Sequence, residues 1–393
     1  MRYRYSTDKN GRPVKKAIVY TADEHQIKSS DVDIEAVRIV ARLKQAGHET
    51  YIVGGAVRDL IVGKKPKDFD IVTSASPSQI KRLFRNSRII GRRFRLVHVY
   101  VGETIYEVAT FRSLKDGHTG NTFGTIEEDV LRRDFTLNAL FYEPKEQIVV
   151  DYVGGLKDIR ARIIRPIIPL SVIFKDDPVR MLRAVKYAAT TGFKIPLWLS
   201  WKIKQQAHLL DTVSASRRTE ELFKILNSGH SRLIVEKLLH FSLYQYLQPE
   251  AVHFMEIQRQ FKENYLRSLS ELDQFVKNGK EQASGEVISY FIRDYLNSIV
   301  DWKKEPLEAY RSALTACRTY VLPMNPPRIE LENAVRLLFR EHGIGIKKAR
   351  TFEKGRNKEA IPEPAAEEVR NSGEQKTKKR RRRKKKRETP KEP

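Results

Sequence analysis

At 393 residues the chain is long enough for two or three domains with a sizeable core, although only 40% of it is hydrophobic. Lysine and arginine outnumber aspartate and glutamate 74 to 49, for a net charge of +25, which points to a polyanionic partner such as nucleic acid. The single cysteine, Cys317, excludes an internal disulfide and a cysteine-rich zinc site. The most apolar run, residues 163–174, is too short and too interrupted by Arg165, Pro166 and Pro169 to span a bilayer.

The N-terminus is polar and lacks an apolar signal core, so a soluble, cytoplasmic protein with no membrane partner is expected. Residues 1–30 read as a mobile arm. Asp31 to Ala46 reads as an amphipathic helix, with Ala36, Ile39, Val40, Leu43 and Ala46 at helical spacing and Gly47 at its end. Tyr51-Ile52-Val53 is a short strand that runs into Gly54 and Gly55, where the backbone can turn tightly and a ligand can approach the main chain. A helix over 56–62 would then present its free N–H groups as a phosphate site. Gly63 ends it, and a basic turn leads to a second strand that starts at Asp68.

Side chains two apart on a strand share a face, so Asp68 and Asp70 project together and suit divalent cations. Two such ions, about 3.5–4 Å apart, can activate an attacking hydroxyl and stabilise a leaving phosphate oxygen. A phosphate cradle followed by a metal clamp is what nucleotidyl transfer needs.

Further along, Ser76 and Pro77 open another helix, and residues 94–101 alternate like a strand. The returning strand, Ile105 to Phe111, carries Glu107, either a third acidic group beside the pair or an edge glutamate paired with an arginine. Residues 113–125 read as a polar, glycine-containing loop over the site. RRDFTLNAL, residues 132–140, reads as a helix with Asp134 and Asn138 on one face. There Arg133 could neutralise triphosphate charge while Asp134 and Asn138 bond a ribose; a helix laced with ion pairs is the alternative. After a strand at 149–153, turned by Gly154-Gly155, a helix starts at Phe174 with Asp177 as N-cap and Pro178 as its first residue. Arg180 and Arg183 lie near its positive end, where cations are disfavoured unless an anion is present. Residues 192–343 read as helical. From Lys347 onward the chain is charged and predicted disordered, with eleven basic residues in the twelve from Lys376 to Arg387.

Several motifs, in order, carry a family resemblance: VGGAVRDL, KDFDIVTSA, EVATFR, RRDFTLNAL, DYVGG and DPVRMLRAVKYAA. The G-G…D-x-D pair resembles the signature of DNA polymerase β-like nucleotidyltransferases. Together the motifs, within about residues 35–230, resemble the class II nucleotidyltransferases, the group of bacterial poly(A) polymerases and CCA-adding tRNA nucleotidyltransferases. That resemblance implies an α+β fold: a mixed-sheet catalytic head at 31–165, followed by an all-helical region. The latter comprises a neck at 166–230 with nucleotide-base and RNA-binding helices, a body and tail at 231–346, and the disordered basic tail at 347–393.

The resemblance also implies roles. Asp68 and Asp70 would hold two Mg²⁺ ions and, with Asp134, form the catalytic set. Gly54, Gly55, Arg58, Arg133, Asn138, Asp177, Arg180 and Arg183 would bind the nucleotide. RRD is associated with choosing ribose, and Asp177 and Arg180 match the positions that present a protein template to the incoming base. Arg92, Arg93, Lys378, Arg380, Arg381 and Arg382 would bind RNA. One departure is Asp176, where the family usually has glutamate. LFRNSRIIGRRFRLVHV and NTFGTIEEDVLRRDF resemble the poly(A) branch, so the implied reaction adds AMP from ATP to RNA 3′ ends with release of pyrophosphate. The alternatives are CCA addition to tRNA and a non-catalytic RNA-binding protein; the intact Asp68/Asp70 pair argues against the latter.

Overall fold

Short runs of β-branched and aromatic residues, each stopped by glycine, proline or a polar turn, build the N-terminal half. The computed structural model describes residues 2–7, 12–91, 96–113, 115, 122–279 and 283–346. Its strands are β1 Arg2–Thr7, β2 Pro13–Tyr20, β3 Thr50–Val53, β4 Asp70–Thr73, β5 Ser87–Ile90, β6 Leu96–Val101, β7 Thr104–Thr110, β8 Leu140–Glu143 and β9 Ile148–Asp151. They form one mixed sheet in the order β1-β2-β9-β8-β3-β4-β7-β6-β5. Among the described residues β4 and β7 are the parallel pair, and the other neighbours are antiparallel.

That parallel pair positions the site. Ile71 pairs with Val108 and Val72 with Ala109, so the residues just before them, Asp70 and Glu107, stand side by side on one face. The opposite face, with Ile52, Ile71, Val97 and Val108, packs beneath the helices Ile34–Gln45 and Pro77–Leu83. On the site's own face a smaller apolar cluster joins Tyr51, Val53, Val72 and Phe141 to Ile126 and Val130 of the helix Ile126–Leu131.

Beyond the sheet the described chain is helical, from Gly155–Ala161 and Val179–Thr191 through to Arg328–Glu341. The main core continues into these helices without a break, including Leu182, Val185, Leu238, Phe291 and Phe339 in one cluster with the sheet residues. No described helix is long and apolar enough to cross a membrane.

Three expectations are corrected. Residues 1–30, expected as a mobile arm, instead supply β1 and β2 and a short helix, Ala22–His25. Buried Val19 and Tyr20 pair with Val150 and Val149 of β9, and the charged residues interspersed along β1 and β2 hid the pattern. Residues 132–140, expected as a helix, form a bridge between Phe135 and Pro166, a 3-10 turn at Thr136–Asn138, and β8. Phe135, Leu137, Ala139 and Leu140 are all fully buried, more than one helical face could cover. The helix expected from Phe174 is broken: Ile173–Asp176 ends first, Asp177 is extended, and Val179–Thr191 begins after Pro178. A residue before proline is pushed out of the helical region, and proline has no N–H to continue the ladder. Arg92, Arg93, Lys378, Arg380, Arg381, Arg382, most of the 113–125 loop and the tail from Lys347 lie outside the described residues.

Candidate active site

The site begins where β3 turns. Gly54 has φ +80°, a conformation side-chain-bearing residues avoid, and a Cβ there would approach Asp70 Oδ2 at 3.6 Å. The cause is register: Val53 pairs with Asp70, which lays the glycine turn against that carboxylate. Asp68 sits two residues earlier and just outside β4, which starts at Asp70 instead of the expected Asp68. The Asp70 side chain is reached by water on its cavity side and surrounded by protein elsewhere. Burial, then the charges of Asp68 and Glu107, push its carboxyl up to about 6, with Arg133 opposing. Such mutual repulsion is relieved by a cation, so the pair fits a divalent metal. Among the described residues no three His, Cys, Asp or Glu groups form a complete metal cage, so substrate oxygens and water would finish the coordination. Glu107 is exposed, with Oε1 3.5 Å from His98 Nε2.

A cavity of about 870 Å³ opens above these carboxylates, floored by Val72, Leu96 and Ala109 of the sheet. All of Gly54, Gly55, Arg58, Asp68, Asp70, Arg133, Asp134, Asn138, Asp177, Arg180 and Arg183 line it. Eleven residues singled out in the sequence are thus brought to one place, while Glu107 stands just outside the lining. Buried Arg58 donates from Nη1 to Asn138 Oδ1 at 2.8 Å and from Nε to Asp59 at 2.9 Å, with its guanidinium 5.5 Å from the Tyr187 ring centroid. Asn138 Nδ2 donates in turn to Asp134 Oδ1 at 3.4 Å. The expected pairing of Asp134 with Asn138 survives, made by a 3-10 turn. Arg133 is held against Asp129 by two bonds, of 2.8 and 3.1 Å.

The helical side closes the cavity. Arg180 donates from Nη1 to Asp176 Oδ2 at 2.7 Å and to the Ile173 carbonyl at 3.1 Å. The shorter Asp176 therefore still reaches an arginine partner. Asp177 Oδ1 accepts from Val179 N at 3.2 Å, which is a capping bond, while its Oδ2 accepts from Arg217 at 2.7 Å. Arg183 spans Asp134, at 3.9 Å, and Glu221, at 3.4 Å. Burial alone would lower its pKa, but Tyr187, Glu221 and Asp134 outweigh that and hold it firmly protonated.

Sequence reasoning missed Arg112, Asp129, Arg132, Lys186, Tyr187, Arg217 and Glu220, all of which line the same cavity. Arg112 and Arg132 were legible as the ends of EVATFR and RRD. Burial, then neighbouring Arg112, lowers the Arg132 guanidinium to about 10, and its buried Nη1 has no hydrogen-bond partner among the described residues. Such a donor suits an anion. Arg217 had no signal, because only the fold brings it to Asp177.

DYVGG proves to be a brace. Asp151 Oδ1 accepts from the N–H groups of Val153, Gly154 and Gly155 at 3.1, 2.8 and 3.0 Å, and Oδ2 from Leu156 at 3.0 Å. This fixes the turn into the helix Gly155–Ala161, and Gly155 then packs against the turn that carries Asn138. A Cβ on Gly155 would fall 2.3 Å from the Thr136 carbonyl oxygen.

Parts of the chain are similar to known proteins. Residues 50–165 match the poly A polymerase head domain, and residues 192–255 the probable RNA and SrmB-binding site of polymerase A. Poly(A) polymerase I of Escherichia coli O6:H1 is 42% identical over 262 residues, covering 63% of this chain and 55% of that protein. The CCA-adding enzyme of Bacillus subtilis is 36% identical over 222 residues, covering 55% of this chain and 56% of its own. The chain thus spans little more than half the length of these curated relatives. The Bacillus stearothermophilus CCA-adding enzyme, solved in complex with CTP, superposes with a TM-score of 0.52 at 26% identity, covering 78% of this chain and 82% of that one. Over these regions the chain is thus similar to the poly(A) polymerases and the CCA-adding tRNA nucleotidyltransferases.

Proposed function

We propose that the protein adds AMP from ATP to RNA 3′ ends without a template, releasing pyrophosphate. The observation that carries this reading is the convergence of Asp68, Asp70, the glycine turn and the arginine-lined wall in one cavity. The 42% identity to a poly(A) polymerase, against 36% to a CCA-adding enzyme, favours adenylate addition. Asp68 and Asp70 are the residues that would hold Mg²⁺, and metal bound there would supply Lewis-acid stabilisation of the charge on the transferring phosphate. Arg132 and Arg133 bring positive charge to the triphosphate, and the Gly54-Gly55 main chain lets it lie close to the sheet. Asn138, held by Arg58 and next to Asp134, offers a fixed amide to the ribose hydroxyls. Asp177 and Arg180 present polar edges to the base from the helical side.

The second reading is CCA addition, supported by the likeness to the CTP-bound enzyme. Supplying each of the four nucleotides with an oligoadenylate primer, and then with a tRNA lacking its CCA end, separates the two. Extension of the oligoadenylate by ATP alone supports poly(A) addition; CMP transfer to the tRNA alone would replace it.

For base choice, Arg180→Ala is expected to reduce the preference for ATP over CTP by about tenfold. Steady-state incorporation with both nucleotides measures this, with a thermal melt as the folding control. If the preference holds, Arg180 serves only to tie Asp176 to the Ile173 carbonyl.

A further inference from the structure

A second cavity, of about 410 Å³, lies on the same side of the sheet as the active site, beneath the N-terminal hairpin. The helix Ile126–Leu131 separates the two: Ile126 and Glu127 border this cavity, Asp129 and Arg132 the catalytic one. Neither matched family region, 50–165 or 192–255, includes the hairpin.

The hairpin is bulged. Arg4 pairs with Ala17 and Tyr5 with Lys15, which leaves Lys16 as an extra residue on β2. A bulge bends its strand and re-aims side chains, and here Arg4, Tyr5 and Lys16 all border the cavity. Arg4 is fixed in place, donating to the Tyr51 hydroxyl at 2.9 Å and to Glu49 at 3.4 Å. Tyr5 is 62% exposed and Tyr3 40%, with ring centroids 6.3 Å apart, and Lys15 Nζ lies 3.6 Å from the centre of the Tyr3 ring. Residues 2–20 contain six lysines or arginines and one aspartate.

We propose that this hairpin and the cavity beneath it form a second binding site for single-stranded RNA, which holds the strand upstream of the reacting 3′ end. The inference rests on the reading that RNA is the substrate. Exposed aromatic rings interleaved with cations are what a sequence-tolerant RNA platform requires: bases stack on the rings and phosphates meet the cations. Tyr5 offers a stacking face at the mouth, and Lys16 and the anchored Arg4 offer phosphate contacts. Glu127 can accept a hydrogen bond from a ribose hydroxyl or a base amine. The edge of β1, unpaired by any described strand, could also pair with a strand of another copy, but the arginines and lysines concentrated on this hairpin would bring like charges together, which disfavours that occupant.

The test uses the full chain and a fluorescent 20-nucleotide oligoadenylate, with binding read by anisotropy and extension read separately. Y3A/Y5A should weaken binding about tenfold and raise the KM for RNA similarly, with kcat and the KM for ATP unchanged. Y3F/Y5F, which keeps the rings, should retain wild-type affinity. K15Q/K16Q should flatten the salt dependence of binding by about one to two counterions. Wild-type affinity and salt slope in the alanine and glutamine variants would overturn the proposal. A wild-type chain that binds the oligonucleotide but does not extend it would overturn the polymerase reading alone; one that binds no RNA would overturn both.

Discussion

Asp70→Asn is expected to reduce AMP incorporation roughly 10³-fold if the proposed function holds, since loss of a carboxylate that holds metal would remove several kcal/mol of transition-state stabilisation. The same substitution should stabilise the metal-free protein at neutral pH. Asp70 is pushed up from 3.8 to about 6 by burial and by Asp68 and Glu107, so the folded state favours the protonated carboxyl. Stability from this group is therefore present below about pH 4 and lost as pH rises through about 6. After discounting for solvent in the open cavity, the effect at pH 7.5 is about 1 kcal/mol. Melts of wild type and variant in chelator, at pH 4 and 7.5, should show a gap only at the higher pH. Residual incorporation above a tenth of wild type, or a variant less stable at pH 7.5, would remove Asp70 from the metal clamp.

Gly155→Ala should damage the site without touching it. The new methyl would meet the Thr136 carbonyl oxygen at 2.3 Å and Leu140 at 3.1 Å, and the backbone of the 3-10 turn must move to admit it. Overpacking of this kind costs about 1–3 kcal/mol. Asn138 lies two residues past Thr136, so its bonds to Arg58 and Asp134 shift as well, and misplacement by about 1 Å lowers transfer roughly 100-fold. Gly154→Ala is the control. Its φ of +81° makes alanine strained there by about 1–2 kcal/mol, but nothing lies within 4 Å of the added methyl. It should lose stability and keep its rate per folded molecule. Equal rate losses in both variants would break the link between Gly155 and the Asn138 turn.

What the sequence disclosed depended on how local the signal was. Asp70 was readable because it opens a short apolar strand, and Gly54-Gly55 because glycine pairs mark turns, whereas Asp68 reaches the same cavity from outside β4, not through the strand period. The 132–140 segment misled because dense apolar residues fit a helix as well as a bridge and a strand; the deciding bonds, Thr136 N to Arg165 O and Ile167 N to Asp134 O, come from a distant segment. The proximity of Glu107 to Asp70 follows only from the parallel pairing of β4 with β7, which local pattern does not specify. Asp177 looked complete as a cap, and that bond is present, yet its other oxygen is occupied by Arg217, forty positions away. At the hairpin the strands were hidden because Arg, Lys and Tyr interspersed along them masked the buried Ala17, Val19 and Tyr20.

The unbroken core has a consequence for how the molecule comes apart. Apolar side chains from Tyr20 under the sheet to Phe339 in the last helix belong to one packed cluster, and no apolar gap falls at residue 165, where the matched head region ends. Severing the chain there would strip the cover from residues such as Phe135, Leu140 and Leu156 and leave a sticky fragment. Residues 1–346 should accordingly melt in a single calorimetric peak, with van't Hoff and calorimetric enthalpies in agreement. Two resolved peaks would mean that sheet and helices let go separately. The edge of shared ancestry would then also be an edge of cooperativity.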